Sequence, residues 1–163
     1  MRKKLILTLG LVSLFFLFPV LIHADELMLG PADFLPYMDD NDYYQSGEYL
    51  YSVSGATNRY FYAPVHLPQN AKVTSVTLYY WDDDAGYVQL YFFKENMYNA
   101  NLYTLCSYST TGATNAWRYT KISPISYNTI NNGGYTYFIR IYLSSSTAGS
   151  GLRLHGVKIL YNP

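Results

Sequence analysis

The chain has 163 residues, with eleven Lys and Arg set against eleven Asp and Glu, 13% charged residues and twenty tyrosines. A balance this even gives no electrostatic ground for nucleic acid or anionic lipid as a partner. The single cysteine, Cys106, excludes an internal disulfide framework.

Residues 1–24 read as an export signal. Arg2, Lys3 and Lys4 make a basic start, an unbroken apolar run follows, and Pro19 opens a short tail ending at Ala24, after which cleavage is predicted. The competing reading is a retained membrane anchor, because the uncharged stretch 5–22 just reaches spanning length. Cleavage would leave 139 residues, one domain by length, with eight Lys and Arg against eleven acids and a formal charge of −3. The expected destination is outside the cell or on its surface, with no membrane contact once the signal is gone.

Residues 25–47 read as an irregular arm, broken by Pro31 and Pro36 and carrying the acidic turn Asp39-Asp40-Asn41-Asp42. A domain over 48–163 follows. Its strand candidates begin with 49–53 and with 59–65, where Pro64 cannot donate to a ladder and marks a strand end or an edge. The stretch 71–95 then alternates with period two in both halves. Val76, Leu78 and Tyr80 share one face and Val88, Leu90 and Phe92 another, with the poor strand formers Asp82, Asp83, Asp84, Ala85 and Gly86 between them. That pattern predicts a hairpin with a loop of four or five residues at its tip.

Further strands are predicted at 102–108, 117–122, 135–143 and 152–161. The third alternates most cleanly, with Tyr135, Tyr137, Ile139, Ile141 and Leu143 on one side. The last changes phase at His155-Gly156, so a bulge is expected there, restoring Leu152 and Leu154 and then Val157, Ile159 and Tyr161 to one core face. No helical stripe of useful length appears outside the signal. Eight or nine short strands separated by Gly, Ser, Asn and Pro clusters predict an all-β domain, a β-sandwich of jelly-roll or Greek-key kind.

The run from Tyr60 to Gly86, with Ala63-Pro64-Val65, Leu67-Pro68, Ala71 and Val73 through Tyr80 leading to Asp82 and Asp84, and the closing strand with Gly156, Val157, Ile159 and Tyr161, resembles a loose group of exported bacterial proteins of unassigned function. The resemblance implies a secreted sandwich. It transfers no catalytic residue.

Chemistry is sparse. His66 and His155 sit in unlike contexts, and each reads as a surface or structural histidine; Cys106 reads as a small buried hydrophobe. Paired acids for glycoside hydrolysis could be sought among Glu48, Asp82, Asp83 and Asp84, but three aspartates at a tip read more simply as a solvated turn. The expectation is therefore a non-enzyme. Calcium, which takes carboxylate and carbonyl oxygens, is the one cofactor the acids would suit, at Asp39, Asp40 and Asp42 or at Asp82, Asp83 and Asp84. Tyr79, Trp81, Tyr87, Tyr91 and Phe93 point away from the apolar set, and flat rings with polar tips can stack on sugars. Polysaccharide is thus the expected partner, and the competing class is a structural protein that pairs with itself or with an envelope protein by strand addition.

Overall fold

The computed structural model describes residues 24–38, 42–53, 56, 59–144 and 149–163, so the predicted signal lies outside the described residues except for Ala24. Eleven strands occur among them: β1 (Asp25–Leu29), β2 (Leu35–Pro36), β3 (Tyr43–Gln45), β4 (Leu50–Ser52), β5 (Tyr60–Pro64), β6 (Lys72–Asp82), β7 (Val88–Asn96), β8 (Leu102–Ser109), β9 (Ala116–Ile122), β10 (Tyr135–Leu143) and β11 (Leu152–Asn162). No helix among the described residues is long and apolar enough to cross a membrane.

Two antiparallel sheets pack face to face. The front sheet runs β3-β4-β11-β6-β9, with β1 also on β11, and the back sheet runs β2-β5-β10-β7-β8. Among consecutive strands only β3 with β4 and β7 with β8 pair directly. Every other connection crosses from one sheet to the other, in the manner of a jelly roll.

Two expectations are corrected. Residues 71–95 do form two strands, but β6 and β7 lie in different sheets, and 83–87 is an inter-sheet corner rather than a hairpin tip. The acidic, Gly-containing stretch satisfies either geometry, and only the long-range partners of each strand decide between them. The arm 25–47 is also not irregular throughout. β1 pairs with β11 from Asp25↔Tyr161 to Leu29↔Val157, β2 adds to β5, and β3 to β4.

Strand parity sets the core. Val76, Leu78 and Tyr80 of β6 and Leu152, Leu154, Val157 and Ile159 of β11 point inward from the front sheet, and Val88, Leu90, Phe92, Ile139, Ile141 and Leu143 meet them from the back sheet. At roughly 1.5–3 kcal/mol for each large apolar side chain buried, this layer supplies the main driving force for folding.

The β11 bulge falls where the phase change places it, between Leu154 and Gly156. Leu154 pairs with Leu50 of β4, whereas Val157 onward pairs with β1. Gly156 stands at that handover with φ +156, and a Cβ there would lie 2.8 Å from the Leu29 carbonyl oxygen. Glycine is therefore what lets β1 come close.

Candidate functional site

The topology divides the predicted aromatic face. Tyr79 and Trp81 are on the outside of the front sheet, while Tyr91 and Phe93 are on the outside of the back sheet, with Tyr87 at the corner entering β7. They cannot serve one ligand together, because the whole core lies between them.

On the front sheet the outward positions of neighbouring strands align. Trp81 of β6 opposes Trp117 of β9 and Tyr79 opposes Tyr119. The two indoles meet edge-on with centroids 5.3 Å apart, and the tyrosines are 6.1 Å apart. Across β11 the guanidinium of Arg153 lies 5.7 Å from the Trp81 ring and 5.0 Å from Tyr49. Its Nε donates to the Ser150 carbonyl at 2.8 Å, which fixes the plane of the fork. Beyond it Tyr44, Tyr49 and Tyr51 stack on one another at 5.2 to 6.1 Å. The row runs across the strands from β3 to β9, four inter-strand spacings or about 19 Å.

The bulge shapes one end of this platform. As the extra residue, His155 is turned outward, its ring 5.0 Å from Trp117 and its Nδ1–H donating to the Glu48 carbonyl, which leaves Nε2 for a ligand. Glu48, Tyr79, Trp117, Arg118, Tyr119 and His155 enclose an open hollow of about 480 Å³. It continues past Tyr79 and His155 into a second hollow of about 340 Å³ beside Met28 and Gly30. Trp117 is 51% and Tyr119 72% exposed, so both rings present flat apolar area to solvent on this face. Sequence reasoning passed over both. The signal was available: in β9, Trp117, Tyr119 and Lys121 alternate with Arg118 and Thr120, so no apolar partner set competes for the core.

The back sheet carries a different arrangement. Tyr91 and Phe93 stack in parallel at 5.3 Å, and Phe93 continues to Phe138 and Tyr62. Phe93 is only 4% exposed, so it is a packed ring rather than a free one. In the middle sits the guanidinium of Arg140, 4.6 Å from the Tyr91 ring, 4.7 Å from Phe93 and 5.3 Å from Tyr60.

The acids separate as well. Asp39 and Asp40 lie outside the described residues, and Asp42 is exposed. The parity that buries Val76, Leu78 and Tyr80 carries Asp82 inward too. It is fully buried, and neither carboxylate oxygen has a hydrogen bond of good geometry. Burial raises its carboxyl above the ordinary value, against the opposing pull of the Thr110 hydroxyl, the Asp84 backbone and Arg118. Asp83 is exposed, and Asp84 accepts from the Gly86 N–H at 2.8 Å, closing the corner. Register places Asp42 at the same end of the front sheet as Asp82 but three strands away, roughly 14 Å, so the two acidic stretches cannot share a cation. Among the described residues no three carboxylate, imidazole or thiol groups converge on one point. A calcium site would rest on Asp82 and Asp84 with backbone carbonyls.

Cys106 is buried on the inner side of β8, its thiol pushed up to about 12 by burial, which disqualifies it as a nucleophile at neutral pH. His66 is exposed beside a separate hollow with Met97 and Asn132, and His155 belongs to the platform.

No family profile and no curated protein matches the chain. Among solved structures it is similar to the C-terminal CBM6 of LamC from Zobellia galactanivorans, at 15% identity and TM-score 0.47 over 83% of this chain and 98% of that one. It is also similar to a carbohydrate-binding module of Cellvibrio mixtus lichenase 5A in complex with cellotriose, at 12% identity and TM-score 0.46 over 84% and 96% of the two chains. A family 11 carbohydrate-binding module from Clostridium thermocellum aligns at 10% identity and TM-score 0.42 over 84% and 92%. At such distances these likenesses concern the sandwich fold alone.

Proposed function

We propose that the protein is a secreted, non-catalytic carbohydrate-binding module whose front-sheet platform takes a polysaccharide chain. The observation that carries this reading is the row of outward rings across β3, β4, β6 and β9, interrupted by one guanidinium and flanked by an imidazole. Rings held on paired strands stay flat and fixed, so little conformational entropy is lost when sugar rings stack on them. Arg153, His155 and Glu48 supply donors and acceptors for hydroxyl groups along the same line.

The competing strand-addition reading has the strands that end each sheet to use, β3 and β9 in front and β2 and β8 behind; β8 carries no charged side chain, so strand addition there is open, and among these four the charged strand is β9. Arg118 and Lys121 stand on that strand, and edge charges of this kind oppose pairing with another copy.

The test is binding of the purified protein to a panel of soluble and insoluble polysaccharides, first with calcium and then with chelator. Saturable binding to at least one glycan is expected, weakened roughly tenfold or more by Trp117→Ala and by Trp81→Ala. Trp117→Ala should leave the melting temperature nearly unchanged. A folded protein that binds nothing on the panel, or whose binding ignores both substitutions, would refute the platform, and a mass that grows with concentration would then favour self-association.

A further inference from the structure

The two aromatic faces differ in one respect that packing does not require. Arg140 stands at the centre of the back sheet with rings of Tyr60, Tyr91 and Phe93 against its guanidinium. Its Nε is buried without an acceptor, and no hydrogen bond or ion pair joins this side chain to any described residue. Three ring faces stabilise the charge, but they accept few of the five N–H groups that a guanidinium carries. A buried donor without a partner is costly, and a hydrophobe on this face would avoid the cost. On the front sheet, by contrast, Arg153 gives its Nε to Ser150.

We propose that the back sheet is a second binding surface, for the carboxylate of an acidic sugar residue in a polysaccharide such as a polyuronate. A carboxylate presents two oxygens in one plane, which matches the pair of Nη groups that, unlike Nε, are not among the buried unpaired atoms, and charge-assisted bonds of this kind are about twice as strong as neutral ones. Of the rings beside Arg140, Phe93 is packed away, and the partly exposed Tyr60 and Tyr91 offer the apolar area on which the sugar carrying that carboxylate lies. The occupant is chosen by charge complementarity. Arg140 is flanked on its own strand by Phe138 and Tyr142, and across the sheet it pairs with Tyr62 and Tyr91, so no acid neighbours it in register. This surface is independent of the platform, and either can fail without the other.

The experiment is a titration of isotope-labelled protein with oligogalacturonate, following the Arg140 Nε–Hε resonance, which reads the guanidinium directly and needs no variant. A saturable shift of that resonance is expected, with no response to a neutral oligosaccharide of equal length. Arg140→Gln should weaken oligogalacturonate binding roughly tenfold or more, and Arg140→Lys, which keeps the charge and loses the fork, should recover only part of it. Trp117→Ala should leave the shift intact. An unmoved resonance overturns the proposal. So does an equal response to a sulfated glucan, which would make the site a general anion contact, or a stronger response to a glutamate-rich peptide, which would make it a protein-docking site.

Discussion

Asp82→Asn should make this protein more stable at neutral pH, although it alters a residue at the heart of the fold. The carboxyl group is fully buried, and the Thr110 hydroxyl and Asp84 backbone beside it make no hydrogen bond of good geometry to its oxygens. Its native pKa is raised by burial. The native state therefore holds this proton more tightly than the unfolded chain does. The acid's favourable contribution is complete below the unfolded value of about 3.9 and is lost as pH rises through the higher native value. Above that window the chain carries a buried charge that the pulls of Thr110, the Asp84 backbone and Arg118 offset only in part, and the neutral amide, though it brings polar atoms of its own, lowers that cost by about 1–3 kcal/mol. For a domain of this size the melting temperature should rise by roughly 3–10 °C. Scanning calorimetry of both proteins in chelator, at pH 8 and again near pH 4, reads the effect: the gap should be open at pH 8 and nearly closed at the acid end. If D82N melts lower than the parent at both values, the carboxylate is ionised and satisfied and the reasoning fails. Calcium adds a separate arm. A cation seated on Asp82 and Asp84 would raise the melting temperature of the parent and leave D82N unmoved, whereas an equal response from both removes that site.

The two sides of the sheets should answer truncation differently. Ile139→Ala in the core should cost about 2–5 kcal/mol in chemical denaturation, while exposed Trp117→Ala should stay near 0.5 kcal/mol; similar costs would mean that the platform rings are packed. Gly156→Ala should cost about 1–3 kcal/mol, because its new methyl meets the Leu29 carbonyl, and hydrogen exchange should show β1 freed from β11 before the rest of the sandwich. An unchanged β1 would show that the handover tolerates a side chain. Cys106 should resist alkylation in the native protein at pH 8 and react at once in denaturant, since its thiol is protonated well past that pH. Rapid native labelling would contradict its burial.

Local features of the sequence were legible where local physics decides them. β10 was found at its full length because five inward residues alternate without interruption and Gly134 and Ser144 bound them. The bulge could be read because a change of phase in an otherwise apolar strand has few other remedies. Partnership was not legible. The turn chemistry at 82–86 suits a return within one sheet as well as a passage between two, and choosing the former joined Tyr79 and Trp81 to Tyr91 and Phe93 across what is really the core. β1 was invisible for a related reason: Asp25 to Leu29 has two acids and no strong alternation, and it is held by the edge that β11 offers rather than by its own propensity. The platform needed both kinds of information, since its rings come from strands far apart in the chain.

The position of β11 has a consequence for how such a molecule comes into being. It is the last of the described strands, yet β6 lies along one side of it and β4 and β1 share the other, so it is the keystone of the front sheet. A chain emerging from its amino end shows β1, β4 and β6 to the surroundings long before residues 152–162 arrive. The back sheet waits nearly as long, because its central strand β10, which pairs with both β5 and β7, is followed by β11 after only residues 144–151. Both sheets therefore close late, with pairs such as β7–β8 and β6–β9 able to form on the nascent chain while their apolar faces wait uncovered. Shortening the chain before Leu152 would not trim the protein but leave it with one sheet and an exposed core.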